Sequence, residues 1–180
     1  EYFNSWRFGL GAATGVEPPD RLYAQAGRHV QGWRARAPML SLESRMKAAD
    51  IAAAMGVVSS QAMVDLYSAS YDDPEVNDDR KMLASVLRQA YTDDTAEERL
   101  AAMRSMWTRS SGTLTRYSAK ILTARAAAKI PPADALSDQS ADLIASMLSA
   151  GLDRSAIRWA EVVDQGSEGW ALLAVASPST

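Results

Sequence analysis

The chain has 180 residues, 47% hydrophobic and 23% charged, with a net charge of −3. This is ordinary globular usage with enough length for a sizeable core, so a chain disordered throughout is excluded. The lack of cysteine excludes disulfides, thiolate metal sites and cysteine nucleophiles, and the single histidine, His29, excludes HExxH and multi-histidine centres.

Alanine is the outlier at 33 residues, while aromatics are only 7%. Alanine gives up no side-chain entropy in a helix, so the expected class is all-α. No apolar run reaches the roughly 18 residues that a membrane span needs. Fifteen arginines against four lysines point to a GC-rich bacterial source. No leader is visible ahead of Glu1, so bacterial cytoplasm and periplasm both stay open.

The first helix is expected from about Asn4 to Ala13, stopping at Thr14-Gly15. Pro18-Pro19-Asp20 starts a second, with a stripe of Leu22, Ala26, Val30 and Trp33. It must end before Pro38, because the residue ahead of a proline resists helical geometry. A third runs from Leu42 to Met55, with Ser41 as N-cap and Gly56 as stop. A fourth follows Ser59 and places Met63, Val64, Leu66, Tyr67 and Tyr71 at helical spacing. A fifth carries Met82, Leu83, Val86, Leu87 and Ala90.

Thr95 with Glu98 three residues on is a capping-box signature for a sixth helix bearing Leu100, Met103, Met106 and Trp107. Gly112 breaks it. The seventh presents Leu114, Tyr117, Ile121, Ala124 and Ala128, and Pro131-Pro132 ends it. An eighth covers about 138–150 with Leu143, Ile144, Met147 and Leu148. Asp153 is expected to cap a ninth with Ile157, Ala160 and Val163, and Ser167 a last short one ending before Pro178. Met63, Met82, Met103, Met106 and Met147 are all expected in the core.

Gly56-Val57 and Gly151-Leu152 each set a glycine past a helix with an apolar residue after it. Glycine takes the left-handed cap conformation cheaply, and the next residue packs back on the helix just left. The two turns, with a weaker echo of Val57-Val58 in Val162-Val163, read either as degenerate αα-hairpin repeats or as shared capping chemistry.

Several short motifs carry chemistry. Ser44-Arg45-Met46-Lys47 matches the S-x-x-K of penicillin-binding enzymes, without a partner K-T-G, and with only Ser137-Asp138-Gln139 near S-D-N. Glu43-Ser44 resembles the Glu-Ser pair of the soluble lytic transglycosylases. That resemblance implies a helical superhelix beside a catalytic domain, with Glu43 as general acid. The family's G-L-M-Q stretch has no counterpart in Ala48 to Val58. Within the acidic run Asp72 to Asp79, oxygen donors fall at alternate positions from Asp73 to Asp79, like the start of a calcium loop counted from Asp73. The EF-hand's sixth-position glycine and twelfth-position glutamate are replaced by Asp78 and Ala84. The plainer role for this segment is to cap and charge the next helix. His29, one turn from Trp33, is expected to be a packed or half-exposed residue.

Charge segregation is the one non-generic feature. Residues 99–130 hold seven bases and no acid, while residues 65–98 carry a net −7. The two segments are expected to pack as neighbours and neutralise each other. The sharper reading is a partner-binding basic face of Arg104, Arg109, Arg116, Lys120, Arg125 and Lys129. No exposed aromatic can be named among these cations from the pattern, and the acidic pI argues against nucleic acid.

The sequence therefore reads as one helical domain over residues 1–180, expected to belong to a longer helical protein. About nine to ten helices stack as αα-hairpins, in an irregular superhelix of α-solenoid kind or an orthogonal bundle. The expected role is a non-catalytic protein-interaction or scaffold domain. Its partner would be a protein or a neighbouring domain of the same chain, with no cofactor, no nucleic acid and no membrane span. The alternative is the helical accessory region of a cell-wall-active enzyme. The last helix, Trp170 to Ala176, is apolar all round, so it should be wedged centrally or form a seam to a following unit.

Overall fold

The computed structural model describes residues 3–176, apart from the side chain of Ala24. Among them are eleven α-helices and two 3₁₀ turns, and no strand. The helices are α1 (Ser5–Thr14), α2 (Asp20–Gln25), α3 (His29–Arg36), α4 (Leu42–Ala54), α5 (Ser60–Ala69) and α6 (Asp78–Thr92). They continue with α7 (Ala96–Arg109), α8 (Thr113–Ala128), α9 (Ser140–Ser149), α10 (Asp153–Ala156) and α11 (Glu168–Ala176). The all-α class is as the composition predicts.

Local chemistry sets the helix starts. Asn4, Ser41, Ser59, Asn77 and Thr95 each accept a hydrogen bond from the backbone N–H three residues on, satisfying an amide with no partner inside its helix. At Thr95 the reciprocal bond from its N–H to the Glu98 carboxylate completes the capping box. The acidic turn caps α6 through Asn77 and charges its first turn with Asp78 and Asp79, while Asp73 accepts from the Glu75 N–H.

The two glycine turns close alike. Gly56 and Gly151 have φ of 73° and 68°. The Gly56 N–H reaches the Ala53 carbonyl and the Val57 N–H reaches Ala52. Gly151 reaches Leu148, and Leu152 reaches Met147. This double bonding is the Schellman closure, which satisfies the last carbonyls of α4 and α9.

Other expectations need correcting. The second helix is two, because Gly27 enters the left-handed region at φ 75° and separates α2 from α3. The segment after α9 forms only a one-turn α10 and a 3₁₀ turn, Ile157–Trp159. Asp153 makes no side-chain cap there; Leu152 stands at that position. Trp159, rather than Ile157, is the residue that this turn buries. A 3₁₀ segment, Asp134–Gln139, precedes α9. Tyr71 lies beyond α5, and it and Met82 are exposed. Ser167 accepts from the Trp170 N–H as expected, whereas the stop before Pro178 lies outside the described residues.

α8 organises the packing. Its expected stripe is wrong at the start, since Leu114 and Tyr117 are exposed. From Ser118 onward it is buried nearly all round, at Ser118, Ala119, Ile121, Leu122, Thr123, Ala124, Ala126 and Ala127. α4, α5, α6, α7 and α9 all pack on it. Ile121 and Leu122 share one core with Ala48, Ala49, Ala52 and Ala53 of α4. Ala119, Ala126 and Ala127 join Leu143, Ile144 and Met147 of α9 in a second. Methyl-sized side chains let these backbones approach closely, and each buried Leu, Ile or Met adds about 1.5–3 kcal/mol. A third cluster, Phe3, Phe8, Tyr23, Val30 and Leu40, holds α1 to α3.

A Cβ added at Gly56 or Gly151 meets nothing within 4 Å, so only the backbone conformation opposes alanine. Gly56→Ala and Gly151→Ala should each cost about 1 kcal/mol. For a chain of this size that lowers the melting temperature by about 2–4 °C, read by circular dichroism.

Candidate functional site

The most connected polar group is a carboxylate on α4. Asp50 Oδ2 accepts from Arg80 Nη1 of α6 at 2.9 Å. Its Oδ1 accepts from the Tyr67 hydroxyl of α5 at 3.2 Å and from Ser118 Oγ of α8 at 3.3 Å. Arg80 Nη1 also donates to the Tyr67 oxygen at 3.0 Å. Four helices thus converge on one ion pair whose two side chains are each 18% exposed. Burial, with the Asp50 charge beside it, raises the Tyr67 phenol well above its ordinary value, so it stays protonated and donates. No motif in the sequence joins these positions. Arg80 reads as a first-turn residue of α6, and Tyr67 as an apolar-stripe residue.

This network forms one wall of a cavity of about 350 Å³, bordered by Asp79, Arg109, Ser110, Ser111 and Thr115. Asp50 is committed to three donors and Tyr67 is held neutral. The chemistry on offer is therefore hydrogen bonding, through the remaining Arg80 donors, Arg109 and the hydroxyls.

The six predicted basic residues do not form one face. At 100° per residue, Arg116 and Lys120 lie on the side of α8 opposite Arg125 and Lys129. Arg104 and Arg116 are exposed and have no ion-pair partner among the described residues. Arg109 reaches the polar cavity, with Nη2 at 3.8 Å from Met82 Sδ. Lys120 turns inward to Asp142 of α9, with Nζ 3.7 Å from the Trp107 ring centroid. Burial lowers its pKa against the pull of Asp142. Arg125 donates to Ser60, and Lys129 lies 5.3 Å from the Tyr91 ring centroid. Arg88 of α6 lies 5.7 Å from the Tyr71 ring centroid. Aromatic rings do interleave with the cations; sequence spacing hides this because the partners come from different helices.

α6 and α7 pack against each other, as the opposite local charges predict. None of the ion pairs among the described residues joins the acidic 65–98 segment to the basic 99–130 segment. The two helices meet through apolar residues, and no ion pair between them holds them together.

The Glu43–Ser44–Lys47 group sits in a polar cleft at the N-terminal end of α4. Ser44 is buried and accepts from Arg34 Nε at 2.8 Å. Lys47 turns to Glu43 at 3.1 Å and Asp20 at 3.4 Å. The Lys47 hydrogen bond holds the Glu43 carboxyl below the usual range, and the same bond raises Lys47. A general acid must carry its proton near working pH, and the Lys47 bond favours the ionised form of Glu43. Arg34 is buried, bonded to Asp20 at 2.8 Å and lying 3.8 Å from the Tyr23 ring centroid. His29 is exposed at the start of α3, edge-on to Trp33 at 5.1 Å. Comparison with family models, curated proteins and solved structures finds no match to this chain.

Two outcomes follow. Asp50→Ala strands a largely buried Arg80 and should cost about 3 kcal/mol, whereas Ser118→Ala, which removes one donor, should cost about 1 kcal/mol. Urea unfolding of the two variants checks the order. For pH, the folded pKa values of Glu43 and Asp20 lie below their unfolded ones. Their contribution is present above the unfolded carboxylate range and fades as pH falls through the folded values. Melting temperature against pH should therefore lose part of its acid limb in Glu43→Gln.

Proposed function

We propose that this chain is a non-catalytic helical interaction or scaffold domain. One observation carries the reading: α11 packs on α9 through Leu173 and Gly169 and leaves an apolar outer side open. Trp170 is 43% exposed and Val175 90%, with Ala171 and Ala174 exposed beside them. Of the two placements expected for this helix, the central wedge is not met, since Trp170 is 43% exposed. An exposed apolar side of this kind supports the seam, a face that suits a protein partner or a neighbouring domain of the same chain. The packing of α4 and α5 on the distant α8 supports a bundle-like scaffold, since solenoid units touch only their neighbours.

The test is site-specific photo-crosslinking in cells. Benzoylphenylalanine at Val175 should give a discrete protein adduct, and the same group at exposed Glu97 should not. Trp170→Glu should abolish the adduct while leaving the melting temperature within about 2 °C, because an exposed side chain carries little of the fold. Absence of an adduct at 175, or the same adducts from both positions, overturns the reading.

A further inference from the structure

A second cavity, of about 400 Å³, lies between α5 and α6 and shares Tyr67 with the polar one. Its size falls in the range of small-molecule sites. Tyr67, Tyr71 and Tyr91 line it, with Val64, Ala84 and Leu87. Tyr91 is anchored at its hydroxyl, which donates to the Leu122 carbonyl, and burial pushes its pKa up to about 12, so it stays protonated. Tyr71 is half exposed, so its ring is accessible from the groove.

One cation lines this groove and two more stand beside Tyr91. Arg88 lines the groove and approaches Tyr71, and Lys129 approaches Tyr91. Arg125 is close enough for its charge to act on the Tyr91 hydroxyl. None of the three has an ion-pair partner among the described residues. Arg88 and Asp72 are the two charged residues of the lining itself, and Arg125 and Lys129 add positive charge beside Tyr91. Tyrosine faces stack planar rings, and guanidinium and ammonium groups at a rim take carboxylate or phosphate.

We propose that this groove binds a small ligand carrying a planar ring and an anionic group, the ring against Tyr71 and Tyr91 and the anion taken by Arg88, Arg125 and Lys129. The proposal is independent of the open face of α11. Both halves of the ligand are needed. A neutral ring forgoes the rim charges, and a bare anion forgoes stacking and meets cations that water screens.

The test is calorimetric titration of the whole chain with adenosine monophosphate and with naphthoate, using adenosine and inorganic phosphate as controls. At least one ring anion should saturate with a dissociation constant below about 1 mM, and both controls should bind at least about tenfold more weakly. Saturation by adenosine monophosphate alone assigns a nucleotide, and by naphthoate alone an aryl carboxylate. Tyr71→Ala, Arg88→Gln and Lys129→Gln, on three separate segments, should each weaken binding about threefold to fivefold. Arg116→Gln, an exposed cation on the other side of α8, should leave it unchanged. The proposal is overturned if neither ring anion saturates, if a control binds as well, or if the three groove variants bind like the parent chain.

Discussion

Asp50 accepts hydrogen bonds from three helices other than its own, and its position requires those helices to meet at one point. A carboxylate mostly withdrawn from water is costly unless its lone pairs are filled, so α5, α6 and α8 are held in register to α4. The alanines that follow Asp50 on α4 are what allow α8 close enough for Ser118 to reach it. The apolar packing supplies most of the favourable free energy, and the polar junction selects the arrangement in which it is collected. Tyr67 carries this constraint outward. Its hydroxyl belongs to the Asp50 network, and its side chain also lines the aromatic groove. The two cavities share that one residue, so the Asp50 ion pair also fixes the hydroxyl end of one wall of the groove.

The distribution of charge follows from packing. α6 and α7 bury Ala84, Leu87, Met103 and Met106, and apart from Arg80 and the half-buried Lys81 and Arg99 most of their charged residues lie outward, where ion pairs gain little against side-chain entropy. Lys120 goes the other way, because its long apolar stem can lie over Trp107 while the ammonium reaches Asp142. Nearby, Trp107 Nε1 donates to Thr123 at 2.9 Å, and Ser146 donates to the Lys120 carbonyl at 2.8 Å. These bonds satisfy the polar groups of an otherwise apolar junction between α7, α8 and α9. A basic stretch of sequence thus becomes several local environments, and only Arg125 and Lys129 arrive beside exposed or half-buried aromatic rings.

Much of the helical frame is legible in the sequence, because caps act over three or four residues. Asn77, Thr95–Glu98, Gly56 and Gly151 each state where a helix starts or stops, and the structure agrees. The faces are less legible. α8 is rich in alanine, which fits either side of a helix, so choosing Leu114 and Tyr117 as the buried stripe follows residue size where position decides. Gly27 was open to two readings, since a glycine can continue a helix at modest cost or end it. The candidate sites were not legible. Asp50, Tyr67, Arg80 and Ser118 are ordinary residues on four separate helices, and the separations that join them, up to 68 residues, carry no local pattern.

The same logic bears on the last helix. A helix with apolar residues on every side has no rotation that hides them all against neighbours on one side, so packing on α9 and Val163 leaves the other side wet. Gly169 shows which side the fold requires inward. A Cβ there would lie 2.9 Å from Val163 and 3.3 Å from Ile144, so α11 rests on its neighbours at near-backbone contact. With Gly169 and Leu173 fixed against α9, the one-turn spacing of the helix sends Trp170 and Ala174 to the flank and Val175 to the outside. The exposure of those residues is thus a consequence of where the glycine sits. Rotating the helix to hide Trp170 would lift Gly169 out of the only place that its missing side chain makes accessible.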